Sequence, residues 1–106
     1  MDNIKIYLVE NDLSIAIDIE MMIAEIGYTF LGRAENAIDA TRAIKANLPD
    51  LIIVDIGLNG TKDGIEFADS ISSLQIPIIF ITAYRDQEKF KRAKVTTPSA
   101  YLIKPF

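Results

Sequence analysis

Four apolar residues in a row, Leu51-Ile52-Ile53-Val54, stop abruptly at Asp55 and pass into Ile56-Gly57-Leu58-Asn59-Gly60. A run this short, rich in β-branched side chains and without polar alternation, reads as a strand buried on both faces. Strands of that kind belong to parallel sheets covered by helices on each side. Asp55 then stands at the carboxyl end of a central strand, where open α/β sheets place their ligands. Taken alone, Asp55 is equally well a strand-ending residue bonded to a nearby loop amide. Its significance depends on what ends the other apolar runs.

Those runs follow in order. Ile4-Lys5-Ile6-Tyr7-Leu8-Val9 reads as a first strand ending at Glu10-Asn11-Asp12. Asp12 is a good N-cap for a helix through about Ile26, with Ile15, Ile19, Met22, Ile23 and Ile26 forming one apolar face and Gly27 fitting the left-handed position after it. Thr29 to Ala34 is a weaker strand suited to an outer position. Asn36 caps a second helix through about Asn47, expected to bury Ile38, Ala40 or Thr41, Ile44 and Leu48. After the Asp55 loop, Asp63-Gly64 opens a third helix that packs Ile65, Phe67, Ala68 and Ile71. Pro77 precedes a second doubly buried run, Ile78-Ile79-Phe80-Ile81, ending at Thr82-Ala83-Tyr84. Asp86 to about Lys94 reads as a short charged fourth helix with Phe90 and Ala93 inward. Tyr101-Leu102-Ile103 is a fifth strand before Lys104-Pro105-Phe106. The alternation of strands and helices predicts an α/β fold: a doubly wound, five-stranded parallel sheet of order 2-1-3-4-5, with right-handed crossovers and no fifth helix in this chain.

With 106 residues there is room for one domain and one core. A net charge of −4 and the lack of a Lys/Arg cluster argue against a nucleic-acid surface. The chain has neither cysteine nor histidine. Disulfides, thiolate chemistry, Ser-His-Asp triads and imidazole or thiolate metal sites are therefore excluded. Any chemistry rests on carboxylates, hydroxyls, lysine and a hard metal. No apolar run approaches the roughly 18 residues of a membrane span, and the first residues lack a basic leader, so a cytoplasmic protein with no membrane association is expected.

Polar groups close four of the five strands: Glu10 and Asn11, Asp55, Thr82, and Lys104. In a sheet of order 2-1-3-4-5 these ends converge on one edge, at the switch point between strands one and three. Carboxylates gathered there repel unless a cation intervenes, and Mg²⁺ suits an all-oxygen donor set. A bound metal keeps Asp55 ionised and nucleophilic, while a hydroxyl and an ammonium suit the oxygens of a phosphoryl group.

Leu8-Val9-Glu10-Asn11-Asp12, Ile53-Val54-Asp55, Asp63-Gly64, Ile81-Thr82-Ala83 and Tyr101-Leu102-Ile103-Lys104-Pro105-Phe106 together resemble the receiver domain of two-component response regulators. The resemblance covers the whole chain, which reads as a receiver over residues 1–106. It implies that Asp55 accepts phosphate from the phosphohistidine of a sensor kinase or phosphotransfer protein, assisted by Mg²⁺ held by Glu10, Asn11, Asp55 and the Gly57 carbonyl. Thr82 would bond the phosphoryl group and Lys104 would ion-pair with it. Thr82 and Tyr101 would form the switch, and Ala83 and Tyr84 would govern access. Lys104-Pro105 matches the family's cis peptide. The expected role is a phosphoacceptor in signal transduction, with self-phosphotransfer and autodephosphorylation its only enzymic chemistry. The partners implied are a kinase, an output domain or downstream protein, and a second copy in a homodimer.

This sequence departs from the family pattern in three places. Asn11 stands where the second member of the acidic pair normally supplies a metal-binding carboxylate. The lost charge, at about 4 Å, is worth roughly 4 kcal/mol at an effective dielectric near 20, before desolvation and screening. Weaker Mg²⁺ binding is expected, with Glu10 or Asp12 reaching in to compensate. A non-phosphorylated pseudo-receiver serving as a protein-interaction module is the alternative reading. The loop from Asp55 to Asp63-Gly64 is also one residue longer than the common form and lacks its proline. Finally, receivers carry a further helix after Lys-Pro-Phe, so a C-terminally truncated fragment of a longer protein is expected.

Overall fold

The computed structural model describes residues 3–57, 63–83 and 100–104, with residues 82–83 and 100–104 described by their backbone. Strands β1 (Lys5–Val9), β2 (Thr29–Ala34), β3 (Leu51–Asp55) and β4 (Ile78–Ala83) are all parallel, with β2 beside β1, β1 beside β3 and β3 beside β4. The backbone of β5 (Ala100–Lys104) runs parallel along β4. Helices α1 (Leu13–Ile26), α2 (Ala37–Ala46) and α3 (Gly64–Ser70) make the crossovers, and a short 3-10 turn, Ser72–Leu74, leads from α3 toward β4. The parallel α/β architecture expected from the alternation of runs is present. No described helix is long and apolar enough to cross a membrane. The expected fourth helix, the loop residues 58–62 and Pro105-Phe106 lie outside the described residues.

Strand alternation divides the interior in two. On one face Tyr7, Val9, Ile52, Val54 and Phe80 pack beneath α2 and α3, which contribute Ala37, Ala40, Ile44, Ile65, Phe67 and Ala68. On the other, Ile6, Leu8, Ile53 and Ile81 pack beneath Ala16, Ile19 and Ile23 of α1. Each fully buried aliphatic side chain contributes about 1.5–3 kcal/mol, so a sheet packed on both faces is the rigid element from which the site is built.

The caps follow the sequence reading. Asp12 Oδ1 accepts from the backbone N–H groups of Ser14 and Ile15 at 2.9 and 3.3 Å, and Asn36 Oδ1 accepts from Asp39 N–H at 2.9 Å. Gly27 has φ 95°, and the bonds Gly27 N–H to Ala24 O and Tyr28 N–H to Ile23 O form a Schellman ending. Asp63 and Glu66 form a reciprocal capping box at the start of α3.

The helix faces differ from expectation in part. All four residues expected to pack from the third helix, Ile65, Phe67, Ala68 and Ile71 just past its end, are buried. In α1, however, Ile26 is 62% exposed and Met22 is also exposed, while Ala16 is buried instead. Nearly every turn of this helix carries several apolar residues, so periodicity alone does not choose among overlapping stripes. The narrow stripe 16-19-23 wins because small Ala16 admits close approach to the sheet. In α2, Ile38 is 59% exposed and Leu48, beyond its end, is exposed, whereas Ala37, Ala40 and Ile44 are buried. Again the small residues mark the contact line.

One irregularity was not expected from the sequence, although a glycine inside a strand, here Gly32, commonly marks one. The β1–β2 register runs Ile6 with Phe30 but Tyr7 with Gly32, leaving Leu31 as an extra residue. This bulge reverses the inside-outside phase of β2 beyond it. Gly32 thereby faces Tyr7, whose ring carbon Cε1 would lie 3.4 Å from a Cβ at that position.

Candidate functional site at the carboxyl ends of the strands

Val9 is in register with Val54, so Glu10 and Asp55 follow as neighbours at the ends of adjacent strands, about 4.8 Å apart along the sheet. Alternation turns both toward the face covered by α1, since Leu8, Ile53 and Ile81 belong to that cluster and Asp55 is in register with Ile81. Both are buried: Glu10 is 0% exposed and Asp55 is 5% exposed. Each carboxylate is held differently.

Glu10 is fixed across the sheet. Its N–H donates to Ala34 O at 3.0 Å, and its carbonyl accepts from Arg33 Nη1 at 2.9 Å. Its Oε2 accepts from the Asp12 N–H at 3.2 Å. Arg33 reaches Glu35 only at 3.4 Å. Beyond the bulge Arg33 is in register with Leu8, which places it on the same face as Glu10.

Asp55 is fixed along the chain. Its Oδ1 accepts from Gly57 N–H at 2.9 Å, an Asx turn that orients the carboxylate. Ile56 N–H donates to Ile81 O at 2.9 Å, and Gly64 N–H donates to Ile56 O at 3.1 Å. Gly64 touches the Asp55 backbone directly. A Cβ there would lie 2.8 Å from both Asp55 C and Ile56 Cα, distances that real contacts essentially never show. Only glycine lets the start of α3 close over the Asp55 turn.

The backbone of β4 and β5 carries two more expected residues to this edge. Thr82 follows Ile81, the partner of Asp55, and Ala83 is in register with Lys104. Tyr101 is opposite Phe80, further back along β5. The side chains of Thr82, Ala83, Tyr101 and Lys104, and all of Tyr84, lie outside the described residues.

Asn11 remains half-buried beside Glu10. Asp12 is engaged as the α1 cap, and among the described residues no group of three or more acidic side chains is placed to hold a metal. Of the two acids expected to compensate for Asn11, Glu10 is buried at this edge, while Asp12 is exposed with its Oδ1 held by the α1 cap. Glu10 and Asp55 are the described acids that share the edge.

Sequence reading missed two contributors. Nothing local marked Arg33, because its role depends on a bulge that re-aims it. Gly64 reads in the sequence as a turn and helix start; its contact with Asp55 depends on how α3 folds back. Tyr7 lies nearby under α2, where burial, and secondarily Asp39, push its phenol above its ordinary pKa while Arg33 opposes them.

Comparison with known proteins agrees with this geometry. The family model described as the response regulator receiver domain matches residues 6–106. PdtaR, a transcriptional regulatory protein of Mycobacterium tuberculosis, is 33% identical over 96% of this chain. The phyllosphere-induced regulator PhyR of Methylorubrum extorquens is 31% identical, again over 96%. The chain spans 50% of the former and 38% of the latter. Among solved structures, the signal receiver domain of a modulated diguanylate cyclase from Desulfovibrio desulfuricans G20 superposes with a TM-score of 0.91 at 37% identity, covering 98% of this chain and 83% of that one. The chain belongs to the receiver domains of response regulators, the signal-transduction modules of two-component systems.

Proposed function

We propose that residues 1–106 act as a phosphoacceptor module of a two-component pathway, with Asp55 taking a phosphoryl group from a phosphohistidine. The observation that carries this reading is a buried carboxylate at the end of the central strand, beside a second buried carboxylate and held in one rotation by the Gly57 amide. The frame is a sheet of five strands in the order 2-1-3-4-5, whose polar ends meet at the topological switch point.

In the reaction a carboxylate oxygen of Asp55 attacks phosphorus, the P–N bond breaks, and its electron pair leaves on the donor imidazole. An acyl phosphate on Asp55 results, which water later hydrolyses back to carboxylate and inorganic phosphate. Burial excludes competing water, and the Asx turn removes the rotational freedom of the nucleophile before encounter. Thr82 and Lys104, carried to the same edge by β4 and β5, are assigned to the incoming phosphoryl oxygens.

The donor set fits Mg²⁺. It consists of two buried carboxylates, the Asn11 amide oxygen and the Gly57 carbonyl, all hard oxygen ligands and few enough to leave places for water and substrate. Bound there, Mg²⁺ would neutralise the charge between nucleophile and phosphoryl oxygens. Asn11 supplies an oxygen without a charge, so affinity is lower than with a third acid.

Phosphorylation adds negative charge and acceptor oxygens at this edge, biasing a Thr82–Tyr101 switch and with it a protein-interaction surface. Ala83 and Tyr84 are assigned to access. A sensor kinase or phosphotransfer protein upstream and an output domain or downstream protein are the partners of this reading, and such exchange belongs in the cytoplasm.

Incubation with acetyl phosphate and Mg²⁺ tests the reading. Intact mass should rise by one phosphoryl group in the unmutated protein and remain unchanged in Asp55→Asn. No gain in either, in a folded protein, would replace the reading by that of a non-phosphorylated interaction module, the role to which Asn11 otherwise points.

A further inference from the structure

We infer that Arg33 is a positioning residue for the divalent-cation site, acting through the Glu10 backbone rather than by touching metal or phosphate. The inference rests on the phosphoacceptor reading for the identity of the cation site, but its structural half stands apart from it. The Glu10–Asn11 peptide, just past the end of β1, is the root of both donor side chains there. It leaves the regular ladder immediately after Glu10, whose N–H donates to Ala34 O at 3.0 Å. The next main-chain group, the Glu10 carbonyl, takes Arg33 Nη1 at 2.9 Å. A guanidinium thus continues the β1–β2 pairing for one further bond, with a side chain in place of a strand.

Two observations argue that this contact is built rather than incidental. The Leu31 bulge shifts the phase of β2, pairing Arg33 with Leu8, so the side chain emerges on the face that Glu10 and Asp55 share. An unbulged strand would send it to the opposite face, beneath α2. The geometry also favours the carbonyl over the available carboxylate: Glu35, itself exposed, receives the same nitrogen only at 3.4 Å. Arginine here spends its short bond on main chain, and charge-assisted bonds to main chain are strong and directional.

The consequence is counter to simple charge arithmetic. Removing a positive charge beside a cation site should tighten cation binding if Arg33 acted only through its field. If it acts by holding the Glu10–Asn11 peptide, its loss should weaken binding, by about tenfold where other outer partners of metal ligands are lost. The two mechanisms predict opposite signs.

The test compares Arg33→Met and Arg33→Lys with the unmutated protein. Mg²⁺ affinity is measured by calorimetry, and amide hydrogen exchange is followed without metal. Arg33→Met should bind Mg²⁺ about tenfold more weakly, and Arg33→Lys should fall between the two. In the metal-free protein the Asp12 amide, which bonds Glu10 Oε2, should lose protection in Arg33→Met while the Ile44 amide in the opposite layer keeps its own. Equal or tighter Mg²⁺ binding in Arg33→Met overturns the inference. Unmutated protein that takes up no Mg²⁺ defeats the phosphoacceptor reading instead; unchanged Asp12 exchange would then defeat the inference as well, and lost protection would uphold its structural half. Loss of protection at both amides marks general destabilisation and also overturns it.

Discussion

The two carboxylates at the candidate site stand on neighbouring strands, yet they are held in opposite ways. Asp55 is held close along the chain, by Gly57 two residues on in the β3–α3 connection and by Gly64 nine residues on at the start of α3. Glu10 is held by β2, through Ala34 and Arg33 more than twenty residues distant, and by the Asp12 amide. In the proposed reading the difference suits two tasks. A nucleophile needs a fixed rotation, which the Gly57 amide of the adjoining turn supplies. A metal-binding acid must be placed relative to another strand, so it takes its anchors across the sheet.

Perturbing the Asp55 end should have the largest effect. Gly64→Ala puts a methyl group against the Asp55 and Ile56 backbone, where no flexible side chain can move aside. We expect a loss of about 3 kcal/mol in urea unfolding, at the upper end of ordinary overpacking costs. An unchanged midpoint would show that the turn and α3 can separate freely, and the Asp55 end would no longer count as self-contained.

At the Glu10 end, Asn11→Asp adds a charged donor to two buried acids. Coulomb attraction at short range, reduced by desolvation and screening, should tighten Mg²⁺ binding by about tenfold or more. Equal affinity by titration would mean that position 11 does not face the cation and that the β1 anchors serve Glu10 alone.

Asp12 separates capping from metal binding at the same end. Asp12→Ala removes the bonds to Ser14 and Ile15 and should cost about 1 kcal/mol in thermal or denaturant unfolding. Its Mg²⁺ affinity should change little, because Asp12 is exposed and its Oδ1 is engaged by the Ser14 and Ile15 amides. A large drop in affinity would move Asp12 into the donor set.

Tyr7 gives the smallest effect and the one confined to alkaline pH. Its folded pKa is raised, chiefly by burial, so the native state holds the phenolic proton more tightly than the unfolded chain does. The stability this gives is present below the unfolded value of 10.0 and is lost as pH rises through the folded one. Wild type should therefore lose stability more steeply above pH 10.0 than Tyr7→Phe, while the two follow parallel curves below it. Parallel curves throughout would mean that the Tyr7 hydroxyl is solvated in the native state.

Legibility in the sequence follows the same division as the two anchors. Asp55 ending a doubly buried run, the caps Asp12, Asn36 and Asp63, and the left-handed Gly27 are all local patterns, set within a few residues by strand burial or by unsatisfied helix amides. They could be read directly. The burial of Ala16 in place of Met22 and Ile26 could not, because α1 offers several apolar stripes and the sheet selects the one that packs closest. The same holds for Ile38, left in solvent while Ala40 meets the core.

By itself the sequence determined the alternation of strands and helices, the parallel sheet that follows from it, and the acidic character of the strand ends. Those features depend on side-chain period and capping, which act over a few residues. Tertiary structure alone decided that Leu31 bulges, that Arg33 consequently reaches the Glu10 carbonyl, and that Gly64 lies against Asp55. The bulge and the Arg33 bond join segments distant along the chain, and the Gly64 contact folds the start of α3 back onto Asp55. Register and close packing create them, and, Gly32 aside, neither leaves a local trace in the residues concerned.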